Sequence, residues 1–95
     1  MEFEWDEEKN LSNILKHKVS FDEALEAFSD ENRIILADSK HSDSEQRYFC
    51  IGRTSKDICT VRFTIRGSSI RIFGAGYWRR EKRYYENKGR KSDLH

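Results

Sequence analysis

Three apolar, β-branched runs lie almost back to back in the second half of the chain, at residues 47–53, 58–65 and 69–73. Only Thr54-Ser55-Lys56-Asp57 and Arg66-Gly67-Ser68 separate them. Such spacers are too short for a parallel crossover, which needs about a dozen residues. Both carry turn chemistry, so the three runs fold as two consecutive hairpins. An antiparallel meander is therefore the scaffold, and everything else must pack around it.

The flanking segments supply the rest. Glu2-Phe3-Glu4-Trp5 alternates polar and apolar, as a short strand does. Asp6 reads as an N-cap, with Glu7 and Glu8 favoured in the first turn of a helix over 7–16. Ser20 and Glu23 make a capping box, with Val19 and Ala24 as its staple, for a helix over 21–28. Phe21, Ala24, Leu25 and Phe28 form its apolar stripe. Residues 33–37 read as a strand and 38–45 as a polar loop. Gly74-Ala75-Gly76 reads as a tight turn into a closing helix over 77–87, with Gly89 as its stop. The order β-α-α-β-β-β-β-α defines an α+β fold: an antiparallel β-meander with two N-terminal helices and one C-terminal helix. At 95 residues the chain holds one domain, residues 1–88, followed by a flexible polar tail over 89–95.

Composition narrows the function classes. No stretch approaches the roughly 18 apolar residues of a membrane span. No secretory signal opens the chain, and two cysteines are too few for a disulfide framework. The expectation is a cytoplasmic protein with reduced thiols and no membrane association. His17, His41, Cys50 and Cys59 lack the spacing of a metal site, so neither metal nor cofactor is expected. The net charge of +1 conceals a polarity. Residues 1–31 hold ten acids and three Lys/Arg, whereas residues 32–95 hold seven acids and fifteen Lys/Arg. A basic block of this kind points to a polyanionic partner.

Strand alternation says where that block faces. If Ile65 pairs with Ile70, then Val61, Phe63, Ile65, Ile70 and Ile72 share a core face. Arg62, Thr64, Arg71 and Phe73 share the other, a basic and partly aromatic surface. Pairing Arg53 with Ile58 puts Cys50 opposite Val61, but also puts Phe49 and Ile51 on the basic face. That conflict calls for a bulge or for helix cover on both faces. The last helix interleaves Tyr77, Trp78, Tyr84 and Tyr85 with Arg79, Arg80, Lys82 and Arg83. Arginines beside exposed aromatics suit phosphate contact and base stacking.

Taken together, several segments resemble the BrnT family. They are Phe3-Glu4-Trp5-Asp6, Lys9, Asn13, Lys16-His17, Val19-Ser20-Phe21 with Glu23-Ala24, and Asp38…His41-Ser42…Glu45…Arg47. Ile51-Gly52, Thr64…Arg66 and Ile70-Arg71-Ile72 extend the likeness, which runs from Phe3 to about Glu86. The resemblance implies a RelE-like fold and a toxin of a type II toxin–antitoxin pair. It also implies ribonuclease activity that blocks translation, and a DNA-binding BrnA-like antitoxin that joins the toxin in a hetero-oligomer. Two departures stand out. Lys18 lies where many members have Gly, and Gly74-Ala75-Gly76 replaces Ser-Ala-Arg, so the family arginine is absent at Gly76.

Metal-free RNA cleavage must deprotonate the ribose 2′-OH, stabilise the phosphorane and protonate the 5′-oxygen. The catalytic candidates are His41, Glu45, Arg66, Arg71 and Arg79. Imidazole changes charge near neutrality, so His41 is the natural base or acid; Glu45 is the other base, and Tyr84 or Tyr85 a weak acid. Arginines match phosphate geometry bidentately. Arg62, Arg71 and Arg79 are favoured by strand register, and Arg66 by the resemblance. Arg53, Arg62, Arg80, Lys82, Arg83 and Trp78 are the RNA-binding candidates. The rival reading is a non-catalytic module that binds RNA or antitoxin through a degraded site.

Overall fold

The computed structural model describes the backbone of residues 2–93 and the side chains of residues 2–89. Five strands form one sheet: β1 (Glu2–Trp5), β2 (Ile34–Ala37), β3 (Arg47–Arg53), β4 (Ile58–Arg66) and β5 (Ser69–Gly76). Their order is β1-β5-β4-β3-β2. The expected meander is present from β2 to β5, with Arg53 opposite Ile58 and Ile65 opposite Ile70. The sheet as a whole is mixed, because β1 runs parallel to β5.

Helix α1 (Glu7–His17) starts where Asp6 accepts from the N–H groups of Glu8 and Lys9 at 2.8 and 3.2 Å. It ends at Lys18, whose φ of 60° is left-handed, the conformation that favours glycine. Two buried asparagines fix the helix to its surroundings. Asn13 accepts from the Ala75 N–H and donates to the Ala75 carbonyl, so its amide stands in for a neighbouring strand along β5. Asn10 accepts from the Phe21 N–H at 2.8 Å.

Helix α2 (Phe21–Ala24) keeps the capping box of Ser20 and Glu23, then tightens into a 3-10 turn over Leu25–Ser29. Phe21, Ala24 and Ala27 pack with Cys50, Val61, Phe63 and Ile72 on the first sheet face. A Cβ on Gly52 would lie 2.3 Å from the Ala27 carbonyl oxygen, so only glycine lets the turn approach β3. Both cysteines are buried and free, and burial pushes each thiol up to about 12. Ile65 departs from its expected core role. It is 47% exposed, because it lies near the β4–β5 hairpin end.

The second face solves the Phe49–Ile51 conflict. Helix α3 (Arg79–Asp93) covers part of it, and Ile34, Ile51 and Ile58 form a small second core with Tyr85 and Leu36. The helix does not stop at Gly89. A helix tolerates an interior Gly at about 1 kcal/mol, and the segment 89–93, expected as a tail, remains helical. Leu94 and His95 lie outside the described residues.

Gly74-Ala75-Gly76 is likewise not a turn. It extends β5, bonded to β4 on one side and to Asn13 on the other. A bulge occurs just before it: Phe63 pairs with Ile72 while Arg62 pairs with Gly74. Phe73 is the extra residue, and its ring faces the arginines of the second face.

Candidate functional site

Beyond α3 the second face lies open. Its floor is Phe73, with the Arg47 guanidinium 4.6 Å and the Arg62 guanidinium 5.5 Å from the ring centroid. Arg62 is central. It projects from β4 in the middle of the sheet, and its buried Nε has no hydrogen-bond partner among the described residues.

One wall follows β2. Asp38 is 4% exposed, and its Oδ2 lies 2.9 Å from His41 Nδ1 and 4.0 Å from Arg62 Nη2. An ionised Asp38 places the imidazole proton on Nδ1 and leaves Nε2 as the acceptor. The segment around His41 closes on itself: the Asp38 N–H donates to the Arg47 carbonyl, and Ser42 Oγ donates to the Asp38 carbonyl. Thr64 Oγ1 ties it to β4 by donating to the Gln46 carbonyl at 2.6 Å. A polar loop in sequence is thus a well-anchored arm in structure.

The other wall is α1. Lys9, Ser12, Lys16 and His17 line a cavity of about 300 Å³ with Arg62, Phe73 and Trp78. Trp78 meets His17 edge to face, with centroids 5.2 Å apart. Its indole also fills the space above Gly76: a Cβ there would lie 2.6 Å from the ring. An arginine at this position would have to displace Trp78.

The remaining candidates are dispersed. Arg66 donates from Nε and Nη2 to the two Glu45 oxygens at 3.3 and 3.2 Å. That hydrogen bond, aided by the charges of Arg66, Arg47 and Arg71, holds the Glu45 carboxyl below its usual range against the opposing effect of desolvation. A depressed carboxylate with both oxygens engaged is a weak base. Arg71 bonds Glu4 at 2.7 Å, and Lys82 pairs with Asp57 at 3.2 Å. Arg53 lies at the α3-covered end, its N–H donating to Asp30. Arg79, Arg80 and Arg83 line a separate hollow with Tyr84 and Asn87 on α3. The structure thus brings Arg62 and Trp78 together in the α1 cavity and links His41 to Arg62 through Asp38. Glu45, Arg66 and Arg71 instead lie paired toward the rim of the same face, and Arg79, Arg80 and Arg83 line the hollow on α3.

Sequence reasoning missed the α1 wall. Lys9, Ser12 and Lys16 are three and seven residues apart, one helix face, and that spacing was the available signal. Among the described residues no three of His, Cys, Asp and Glu gather as a metal would require. No helix of the described residues is long and apolar enough to cross a membrane.

A family described as the ribonuclease toxin BrnT of type II toxin–antitoxin systems matches residues 5–82. The chain belongs to this BrnT family. No curated protein matches it. The BrnT match includes both walls and the floor of the open face, and ends within the first turns of α3. Membership brings RNA as substrate class and an antitoxin as partner.

Proposed function

We propose that this BrnT protein is a metal-independent, RelE-like endoribonuclease that blocks translation by cleaving RNA across the open sheet face. The observation that carries the proposal is Arg62. It is a guanidinium with an unpartnered buried Nε, set between the Asp38–His41 pair and the α1 cavity. An orphaned donor of this kind is costly until an acceptor arrives, and phosphate oxygens are good acceptors.

His41 Nε2 takes the 2′-OH proton as O2′ attacks phosphorus, while Asp38 orients the ring through Nδ1. Arg62 stabilises the phosphorane oxygens, with Lys9 and Lys16 adding charge from α1. These cations replace the arginine absent at Gly76. Glu45, Arg66 and Arg71 hold the rim of the face, engaged with one another or with Glu4, and take no direct part in the chemistry. Arg79, Arg80 and Arg83, with Lys82 beside them, guide the RNA strand toward the face. DNA lacks the 2′-OH and is not cleaved. The partner is a BrnA-like DNA-binding antitoxin in a cytoplasmic hetero-oligomer.

The test is cleavage of mixed-sequence RNA in EDTA by the purified protein, beside Arg62→Ala and His41→Ala. The expected result is wild-type cleavage to 2′,3′-cyclic phosphate ends, lost in both variants. Cleavage unchanged in both would move the site off this face. The missing arginine at Gly76 favours a second reading, a binding module. RNA bound but left intact, with and without ribosomes, would establish it.

A further inference from the structure

We infer that His17 is the general acid of the cleavage reaction, protonating the 5′-oxygen as it leaves. The inference rests on the ribonuclease reading above and assigns the one proton transfer that reading leaves open.

Asp38 and His41 follow β2 at one end of the sheet order, Arg62 projects from β4, and α1 is bonded alongside β5. The two imidazoles therefore lie on opposite sides of Arg62 across the sheet, His17 lining its cavity and His41 linked to it through Asp38. In-line displacement has the same requirement, because the attacking and departing oxygens lie on opposite sides of phosphorus.

The environment of His17 fits the role. The ring is half-buried in the α1 cavity, held edge-on by Trp78. Neither ring nitrogen has a hydrogen-bond partner among the described residues, so both are free for a ligand. The charged side chains lining the cavity are Lys9 and Lys16 from α1 and Arg62 from β4, and no carboxylate lines it. The empty cavity is thus cationic. A phosphodiester is the anion that such a cavity suits, and it would lie beside the free ring nitrogens of His17.

The step balances. The O2′–P bond forms as P–O5′ breaks. The 2′ proton goes to His41, and the His17 proton goes to O5′. The products are a 2′,3′-cyclic phosphate and a 5′-hydroxyl, and exchange with solvent restores both rings. Trp78 is then a positioning residue that fixes the His17 ring.

The experiment compares ordinary RNA with the same RNA carrying one 5′-bridging sulfur at the cleaved linkage, since a thiolate leaves without a proton. Wild type, His17→Ala and His17→Gln are assayed for kcat and KM, and melting curves establish that each variant is folded. A general acid at His17 predicts a loss in kcat of about 100-fold or more on the oxygen linkage. It predicts less than about tenfold loss on the sulfur linkage, where the acid is dispensable. Equal losses on both linkages, or a change confined to KM, overturn the inference in favour of a binding role. Unchanged activity on both overturns it outright. A wild type that cleaves neither substrate defeats the ribonuclease reading itself, a different failure from any confined to the His17 variants.

Discussion

The two ends of one sheet face have opposite fates. At one end Ile34, Ile51 and Ile58 close under α3 with Tyr85. At the other, Arg47, Arg62 and Phe73 remain open to solvent and to a ligand. Strands β3 and β4 run through both ends and present alternate residues to each, joined by β2 at the closed end and by β5 at the open one. The difference lies in the residue types at those positions and in where α3 lands. Buried isoleucines repay helix cover, whereas an arginine would have to be desolvated. The comparison separates stability from chemistry along a single strand.

A pair of substitutions on that strand gives the sharpest break. Arg62→Ala should lower RNA cleavage about 100- to 1,000-fold, as loss of a charge-stabilising donor does. It should shift unfolding free energy by less than about 1 kcal/mol, since no well-formed hydrogen bond is removed. Ile58→Ala, on the same face of β4, should cost about 2–5 kcal/mol in denaturant titration. Its activity per folded molecule should stay near wild type. A large stability loss from Arg62→Ala would mean that the open end is structural after all.

The closure itself depends on a latch. Tyr85 donates its hydroxyl to Asp30 at 2.6 Å, and Asp30 also accepts from the N–H groups of Arg53 and Asn32. Burial opposes ionisation of Asp30, but these hydrogen bonds and the Arg53 charge outweigh it and hold the carboxyl below its usual range. A depressed carboxylate contributes stability above its unfolded pKa and loses it as pH falls through the folded value. Tyr85→Phe should therefore cost about 1.5 kcal/mol at neutral pH. That penalty should shrink only as the pH falls below the usual aspartate range, where the depressed Asp30 carboxyl finally protonates. A penalty independent of pH would show that Tyr85 acts only by packing.

Much of this arrangement was legible in the chain. The short spacers dictated the hairpins, Asp6 and Ser20 marked their helix starts, and alternation put Arg62 and Phe73 on one face. What escaped notice depends on partners remote in sequence. Gly74-Ala75-Gly76 reads as a turn because the Asn13 amide that completes β5 lies 62 residues away. Gly89 reads as a stop, yet the helix continues through it. Arg66 and Arg71 look like free cations until Glu45 and Glu4 are found beside them. His17 looked like the end of a helix until Trp78 and Arg62 shared its cavity.

Lys18 gives a smaller effect of opposite sign. It is the one non-glycine residue with positive φ among those described, at the end of α1. Lys18→Gly should stabilise the fold by about 1 kcal/mol, because a left-handed Cβ is strained. Thermal unfolding with both proteins at the same concentration would measure it. The change also removes the exposed Lys18 ammonium bond to the Leu15 carbonyl, a minor loss. Cleavage should be unaltered, since Lys18 does not line the α1 cavity.

Glu45 should matter least to chemistry, and that sharpens the contrast between the open face and its rim. Both Glu45 oxygens are engaged by Arg66, and the resulting depression of its carboxyl works against proton abstraction. Glu45→Gln keeps the shape and most of the hydrogen bonding while removing the charge. Cleavage should stay within about threefold of wild type, far from the 100-fold or greater loss expected when a working base is removed. The pH–rate profile should keep its shape, because Glu45 takes no part in the proposed proton transfers. A loss of 100-fold with a flattened acidic limb would reverse that assignment. The Arg66–Glu45 pair would then be a resting state that RNA must open before the carboxylate can act.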